Sequence, residues 1–451
     1  MNEVLGIVAS GSEGQAITFY SQNPIKTDYV KVLHDKCRTI YKITRVEIVN
    51  KRFAESDFIR YISSGDDYSK YNIYIARAVP IAHINEHGKK YIDYWYIALP
   101  GSGVEIADDE EISLAHGIYQ TPRSQSIGWL RKMEKIPVWI DFNNLLTTHM
   151  AVVGRSGQGK SNFTKIVLKN LPMQFMVFTP ANEYIDTGAK RVDAFNFSIP
   201  EDMDLLKKVL ELNSSEATLL KKALHVLPNE EKPVETGALA ERIINNYENV
   251  LEDNYRRNSV RNNNFVASLC AKLRDMDIKI GAKTAKVPKD SYVFNMQKLS
   301  QDEQELYIYL YLNQILNDRR KRYEVVAEGE EIPNRIVIFL EEAHNFIPSM
   351  KKSFCKDIIN SIAREGRKLG IHLVLLSQRP RYLDPTTLSQ CGSLVVFNLT
   401  NPDDIDYLMD NSNFYDNSYK MIIQGLQIGE CMITSDYLEQ GIDCKIKLLQ
   451  S

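Results

Sequence analysis

The sequence predicts an α/β protein: a parallel sheet covered by helices, preceded by a small antiparallel β-domain and interrupted by a helical insert. Three features predict it. Residues 1 to about 100 hold short β-branched and aromatic runs separated by turn residues, the chain from Met150 alternates apolar strands with helical patterns, and residues 201–290 read as helices.

In the first domain the strand candidates are Ile17–Tyr20, Tyr29–Leu33, Ile40–Ile48 and Tyr91–Leu99, with turns at Ser10–Gly14, Ser63–Asp67 and Asn85–Gly88. Closely spaced strands of this kind suit a barrel over residues 1–105. Residues 106–147 read as a connector, with an acidic run at Asp108–Glu111 and only short strand-like pieces such as Val138–Ile140. The α/β core is expected over 148–200 and 291–451, with strands at Met150–Val153, Phe175–Phe178, Arg335–Leu340, His372–Leu376 and Leu394–Leu399. In the 201–290 insert, Met203, Leu206, Val209 and Leu210 share one helix face, and Asn213 with Glu216 resembles a capping box. The run Asp318–Arg322 reads as the end of a long amphipathic helix whose Tyr307, Tyr309 and Tyr311 are packing groups.

Composition bounds the function. A length of 451 residues allows two or three domains, and 44% hydrophobic with 25% charged residues is ordinary soluble usage. Lys plus Arg number 55 against 58 Asp plus Glu, a net charge of -3, so any nucleic-acid contact must be a local patch. The chain has no apolar run of the roughly 18 to 20 residues needed to span a membrane, and its start lacks a basic segment followed by an apolar stretch. A cytoplasmic protein with no membrane partner is expected. Six scattered cysteines without a C-x-x-C pair read as reduced structural thiols, and His83 with His87 reads as part of a polar loop.

The strongest chemical signal is Gly154-Arg155-Ser156-Gly157-Gln158-Gly159-Lys160-Ser161, placed after a strand candidate and opening a helix candidate. This is a P-loop in its required context. Gly154, Gly157 and Gly159 free backbone N–H groups to face phosphate oxygens, Lys160 reaches the β- and γ-phosphates, and Ser161 ligates Mg²⁺. Gln158 and Asn162 complete the nucleotide-binding stretch, and ATP with Mg²⁺ is the expected cofactor pair. The third core strand delivers Glu341 and Glu342 at its carboxyl end, where α/β sheets place ligands. Glu341 is assigned to the Mg²⁺ shell and Glu342 to polarising the attacking water. Gln378 ends the fourth strand and is read as a sensor of the γ-phosphate. Arg364, Arg367 and Lys368 form a basic cluster at a helix end, suited either to the helix dipole or to an arginine finger offered to a neighbouring subunit.

Taken together and in this order, the β-domain, GRSGQGKSN, VIFLEEAHNFIP, IAREGRKLGIHLVLLSQRP and LTNPDDIDYLM resemble the HerA family of hexameric DNA-translocating ATPases, in the FtsK–HerA branch of P-loop proteins. The resemblance runs nearly the whole chain, including the lead-in IGWLRKMEKIPVWIDFNNLLTTH. It implies a RecA-like core, a HAS-barrel-like first domain, and a homo-hexamer in which each site is completed by Arg367, or Arg364, of the next protomer. It also places Glu183 near the nucleotide. Family members usually show an Asp and a Gly ahead of the Glu-Tyr pair, where this chain reads Thr179-Pro180-Ala181-Asn182-Glu183-Tyr184, and Thr148 stands where Arg is common.

The implied activity is ATP-driven translocation on double-stranded DNA, with a nuclease partner of the NurA kind, in end resection or repair. The alternative is an ATP-binding ring scaffold that recruits and regulates a nuclease or other effector, for instance in antiviral defence. Two basic patches are candidate DNA contacts: Lys351 with Lys352, and Arg256, Arg257 and Arg261 in the insert.

Overall fold

A computed structural model describes residues 4–9, 15–50, 72–88, 90–91, 97–194, 198–226, 233–245, 259–275, 279–282, 289–325, 334–412, 418–438 and 440–449. The chain forms two compact units, Met1–Phe142 with Gly429–Leu448, and Asn143–Ile428 with Leu449–Ser451.

The first unit opens with seven strands: β1 (Val4–Val8), β2 (Ile17–Ser21), β3 (Tyr29–Leu33), β4 (Cys37–Asn50), β5 (Asn72–Asn85), β6 (Lys90–Tyr91) and β7 (Gly103–Ile106). Their order is β2-β1-β7-β3-β4-β5-β6, and β2 also pairs with β5. That pairing closes a six-stranded barrel and leaves β6 outside the circuit. Alternation sends Phe19, Val30, Val32, Tyr41 and Val104 into its core. His83 lies within β5 rather than in a loop, buried, with Nδ1 2.8 Å from the Thr39 hydroxyl. Of the strand expected at Tyr91–Leu99, only Lys90–Tyr91 is a strand, residues 92–96 lie outside the described set, and 97–99 are irregular.

The acidic run is a helix start. Asp108 and Glu111 form a reciprocal capping box on the helix Asp109–His116, and the buried Glu111 carboxylate also pairs with Lys31 at 2.9 Å and Arg38 at 2.7 Å. The segment read as a connector then carries a hairpin, β8 (Gln125–Leu130) and β9 (Met133–Ile140). Its partner is a second hairpin from late in the chain, β20 (Glu430–Ser435) and β21 (Ile442–Ile446), joined through Cys444 opposite Leu130 and Ile446 opposite Gly128. All six cysteines are free and buried, and Cys431 faces Cys444 with sulfurs 3.6 Å apart.

The second unit is built on parallel strands β10 (His149–Val153), β11 (Gln174–Thr179), β12 (Lys190–Asp193), β16 (Tyr292–Asn295), β17 (Ile336–Leu340), β18 (Ile371–Ser377) and β19 (Cys391–Phe397), ordered β12-β16-β11-β17-β18-β10-β19. Every residue of β10, β17, β18 and β19 is buried, the pattern of parallel strands covered on both faces. The insert holds the helices Met203–Val209, Ser214–Val226, Thr236–Asn245 and Ser259–Asp275. It also has a small sheet of β13 (Ser198–Pro200), β14 (Val234–Glu235) and β15 (Lys279–Ala282), strands too short to leave a periodic signal. Leu206, Leu220, Leu239, Leu269 and Ile280 form its core. The Asn213–Glu216 capping box closes with both N–H bonds at 2.9 Å. The helix Gln301–Tyr323 buries Tyr307 against Phe178 and Phe294, so that tyrosine packs. No helix among the described residues is long and apolar enough to cross a membrane.

This order positions the site. β18 lies between β10 and β17, so the carboxyl ends of the three strands sit side by side, with the P-loop leaving the first and the acidic pair leaving the second. An extra strand between these two is the arrangement of a RecA-like core.

Candidate functional site

The loop after β10 turns where glycine is needed. A Cβ on Gly154 would meet the Cβ of Phe397 at 2.5 Å, and Gly157 and Gly159 have φ of 74° and 119°. The loop is held by two backbone bonds: Gly154 N–H donates to Ser377 O (3.2 Å) and Arg155 N–H to Asn398 O (3.3 Å). The helix Lys160–Asn170 follows at once, aiming its N-terminus at the loop concavity. Lys160 Nζ donates to Gly154 O at 2.6 Å and Arg155 O at 2.9 Å. Burial pulls this ammonium below the usual lysine range, while Glu342, Glu341 and Glu183 push it back up.

At the end of β17, Glu341 accepts from the Tyr184 hydroxyl on Oε1 (2.8 Å) and from the Thr179 hydroxyl on Oε2. Burial raises its carboxyl to about 7, with the Glu183 charge adding and the Thr179 and Tyr184 bonds opposing. Glu342 sits in the left-handed region at φ 50°. Its Oε1 accepts the side-chain amide of Gln378, and its buried Oε2 has no hydrogen-bond partner. His344 Nδ1 lies 3.4 Å from that oxygen but bonds the Ser377 hydroxyl at 3.1 Å instead. Glu183 likewise has a buried, unpartnered Oε2.

These groups line one cleft of about 460 Å³ that brings together Lys160, Ser161, Glu183, Glu341, Glu342 and Gln378. Gly157, Gly159 and Asn162 line it too; Gln158 is half-buried in the loop, and Asn162 Oδ1 accepts the N–H of Leu449 at 3.2 Å. A hydroxyl and carboxylates are the hard oxygen donors that suit Mg²⁺. Two buried carboxylate oxygens without partners fit a bound ion or its water shell.

Other expected residues fall elsewhere. Arg364 and Arg367 are exposed and do not line the cleft. They flank the carboxyl end of the helix Lys356–Glu365, where Ala363 O lies 3.0 Å from His149 Nε2 at the start of β10, the end of that strand away from the P-loop. Lys351 and Lys352 are exposed, in a loop whose stems are fixed by Ser349 N–H to Tyr382 O and Lys356 Nζ to Pro348 O, both 2.8 Å. Arg256 and Arg257 lie outside the described residues; Arg261 lies in the helix Ser259–Asp275, its side chain outside them. The motif reading gave Thr179 and Tyr184 no role, because what their hydroxyls touch depends on a partner from another strand.

A RecA-like sheet with a glycine-rich loop leaving β10 into a helix defines a P-loop nucleotide-binding protein. The family model for the HerA helicase central domain matches residues 125–315. The "Probable helicase MJ1565" of Methanocaldococcus jannaschii is 25% identical over 96% of this chain and 88% of its own length. The "DNA double-strand break repair helicase HerA" of Saccharolobus solfataricus is 21% identical over 99% of this chain and 93% of its own. The solved structure of plasmid coupling protein TrwB with a non-hydrolysable ATP analogue shares the fold: 12% identity, 74% of this chain, 91% of that chain and a TM-score of 0.50. By these matches the chain is similar to the HerA helicases.

Proposed function

We propose that this protein is an ATP hydrolase that drives a ring of identical subunits, a hexamer, along double-stranded DNA. One observation carries the reading: Lys160, Glu341, Glu342 and Gln378 converge on one cleft at the carboxyl ends of adjacent parallel strands. The P-loop N–H groups and Lys160 hold the phosphates. Ser161 and Glu341 would hold Mg²⁺, which would supply neutralisation of the phosphate charge. Glu342 orients the attacking water and accepts the proton it loses as its oxygen bonds to phosphorus, and Gln378 fixes the Glu342 carboxylate while facing the γ-phosphate. Arg367, remote from its own cleft and exposed, is the finger presented to the next subunit, with Arg364 the second choice. Glu183 stands beside the nucleotide.

Lys351 and Lys352 contact DNA phosphates, and a nuclease of the NurA kind is the proposed partner in end resection or repair. Relatives named as break-repair helicases support the repair role. The net charge of -3 favours a second reading, a ring scaffold that regulates a nuclease or other effector with little translocation. ATP hydrolysis with and without duplex DNA separates the two. Stimulation by duplex is expected of the motor; hydrolysis indifferent to DNA would favour the scaffold.

A further inference from the structure

We propose that Thr179 and Tyr184 are positioning residues that clamp the Glu341 carboxylate opposite Ser161, ready for the divalent cation that arrives with the nucleotide. This rests on the nucleotide reading above. The argument begins with where the two hydroxyls come from. Thr179 is the last residue of β11, the neighbour of β17, and Tyr184 lies in the turn that follows. Each reaches a different oxygen of the same carboxylate: Tyr184 bonds Oε1 at 2.8 Å and Thr179 bonds Oε2.

A hydroxyl has one proton to give. Thr179 Oγ1 also lies 3.1 Å from Ala181 O, but the Glu341 carboxylate, in its ionised form, is the stronger acceptor. The Ala181 N–H donates to the same Oγ1 at 3.1 Å and fixes its rotamer. Tyr184 is held in the left-handed backbone region at φ 63°, an unusual conformation for an aromatic residue, with its carbonyl tied to the Thr187 hydroxyl at 3.0 Å. Its ring is 1% exposed, so the strained turn delivers only the hydroxyl to the site, where it meets both Glu341 and Ser161. The donors are neutral. They set the plane of the carboxylate without cancelling its charge, as outer-shell partners of metal-binding carboxylates do.

The test uses the full-length chain and a fluorescent ATPγS analogue. Wild type, Thr179→Val, Thr179→Ser and Tyr184→Phe are titrated with the analogue across free Mg²⁺ concentrations and again in EDTA, and Mn²⁺ electron paramagnetic resonance reports the cation itself. Thr179→Val and Tyr184→Phe should need about tenfold more Mg²⁺ for the same analogue affinity. Thr179→Ser should match wild type, and all four should bind alike in EDTA. If Tyr184→Phe and Thr179→Val titrate like wild type, or lose EDTA binding to the same degree as Mg²⁺-dependent binding, the clamp is wrong and the nucleotide site stands. If wild type itself fails to bind the analogue, the nucleotide reading falls, and the clamp with it. Should the valine variant not fold, Tyr184→Phe against Thr179→Ser decides.

Discussion

The side-chain amide of Gln378 donates to Glu342 Oε1, a bond that ties the residue after β18 to the second residue beyond β17. It leaves Oε2 of the same carboxylate buried and unpartnered, the oxygen available to a water. Glu342→Gln keeps the shape and loses the charge. That variant should bind ATP as wild type does but hydrolyse it at least about a hundredfold more slowly, the usual scale of a lost general base. Lys160→Ala should instead weaken binding itself. Single-turnover hydrolysis beside equilibrium nucleotide binding checks both, and undiminished turnover in Glu342→Gln would remove this residue from the chemistry.

Arg367 and Arg364 lie outside their own cleft, so a catalytic role for either requires a second subunit. Arg367→Ala should retain ATP binding and lose hydrolysis, by roughly 10³ to 10⁵ if it behaves as other arginine fingers do. Mixed with Lys160→Ala, it should regain activity at interfaces that pair an intact loop with an intact arginine. Mixtures that exchange subunits yet stay inactive at every ratio would contradict the trans assignment, provided wild type diluted into Lys160→Ala still turns over.

What was legible in the sequence was local. Gly154 to Ser161, the Glu341-Glu342 pair and Gln378 each sit directly after a strongly apolar strand, so strand, turn and chemistry can be read in one window. The pairing of β8 with β21 was not, since β21 comes from the far end of the chain and leaves no local trace. Strands β12 and β16, four residues each, are too short for a periodic pattern. Thr179 and Tyr184 acquire meaning only once β11 is laid beside β17.

Lys351 and Lys352 sit on a loop pinned at both stems, so their charges can change without disturbing the fold. Reversing both to Glu should weaken duplex binding equally for all sequences and reduce its salt dependence, because phosphate contacts release counterions and read no bases. Binding measured from low to moderate salt checks this; an unchanged salt slope would move the DNA contact elsewhere.

His149 supplies a pH prediction. Nδ1 accepts the Leu373 N–H at 2.9 Å and Nε2 lies 3.0 Å from Ala363 O, an arrangement that fits the neutral ring. Burial, aided by Arg367 and opposed by the Ala363 bond, lowers its pKa from 6.5 to about 4. As pH falls through 6.5 the unfolded chain takes up this proton and the folded chain does not. The stability held above pH 6.5 is therefore lost progressively down to about pH 4, by about 3 kcal/mol in all. His149→Gln, which keeps a donor and an acceptor but cannot titrate, should lose less stability between pH 7 and 4.5 in urea unfolding. Equal losses in the two proteins would place the acid sensitivity elsewhere.

The most direct test of a DNA motor is displacement of a third strand annealed to a duplex, followed over time with purified protein. ATP should release the third strand, whereas ADP, a non-hydrolysable analogue or the Glu342→Gln variant should not. Wild-type protein that hydrolyses ATP on duplex DNA yet never displaces the strand would contradict translocation and leave the regulating scaffold as the better account.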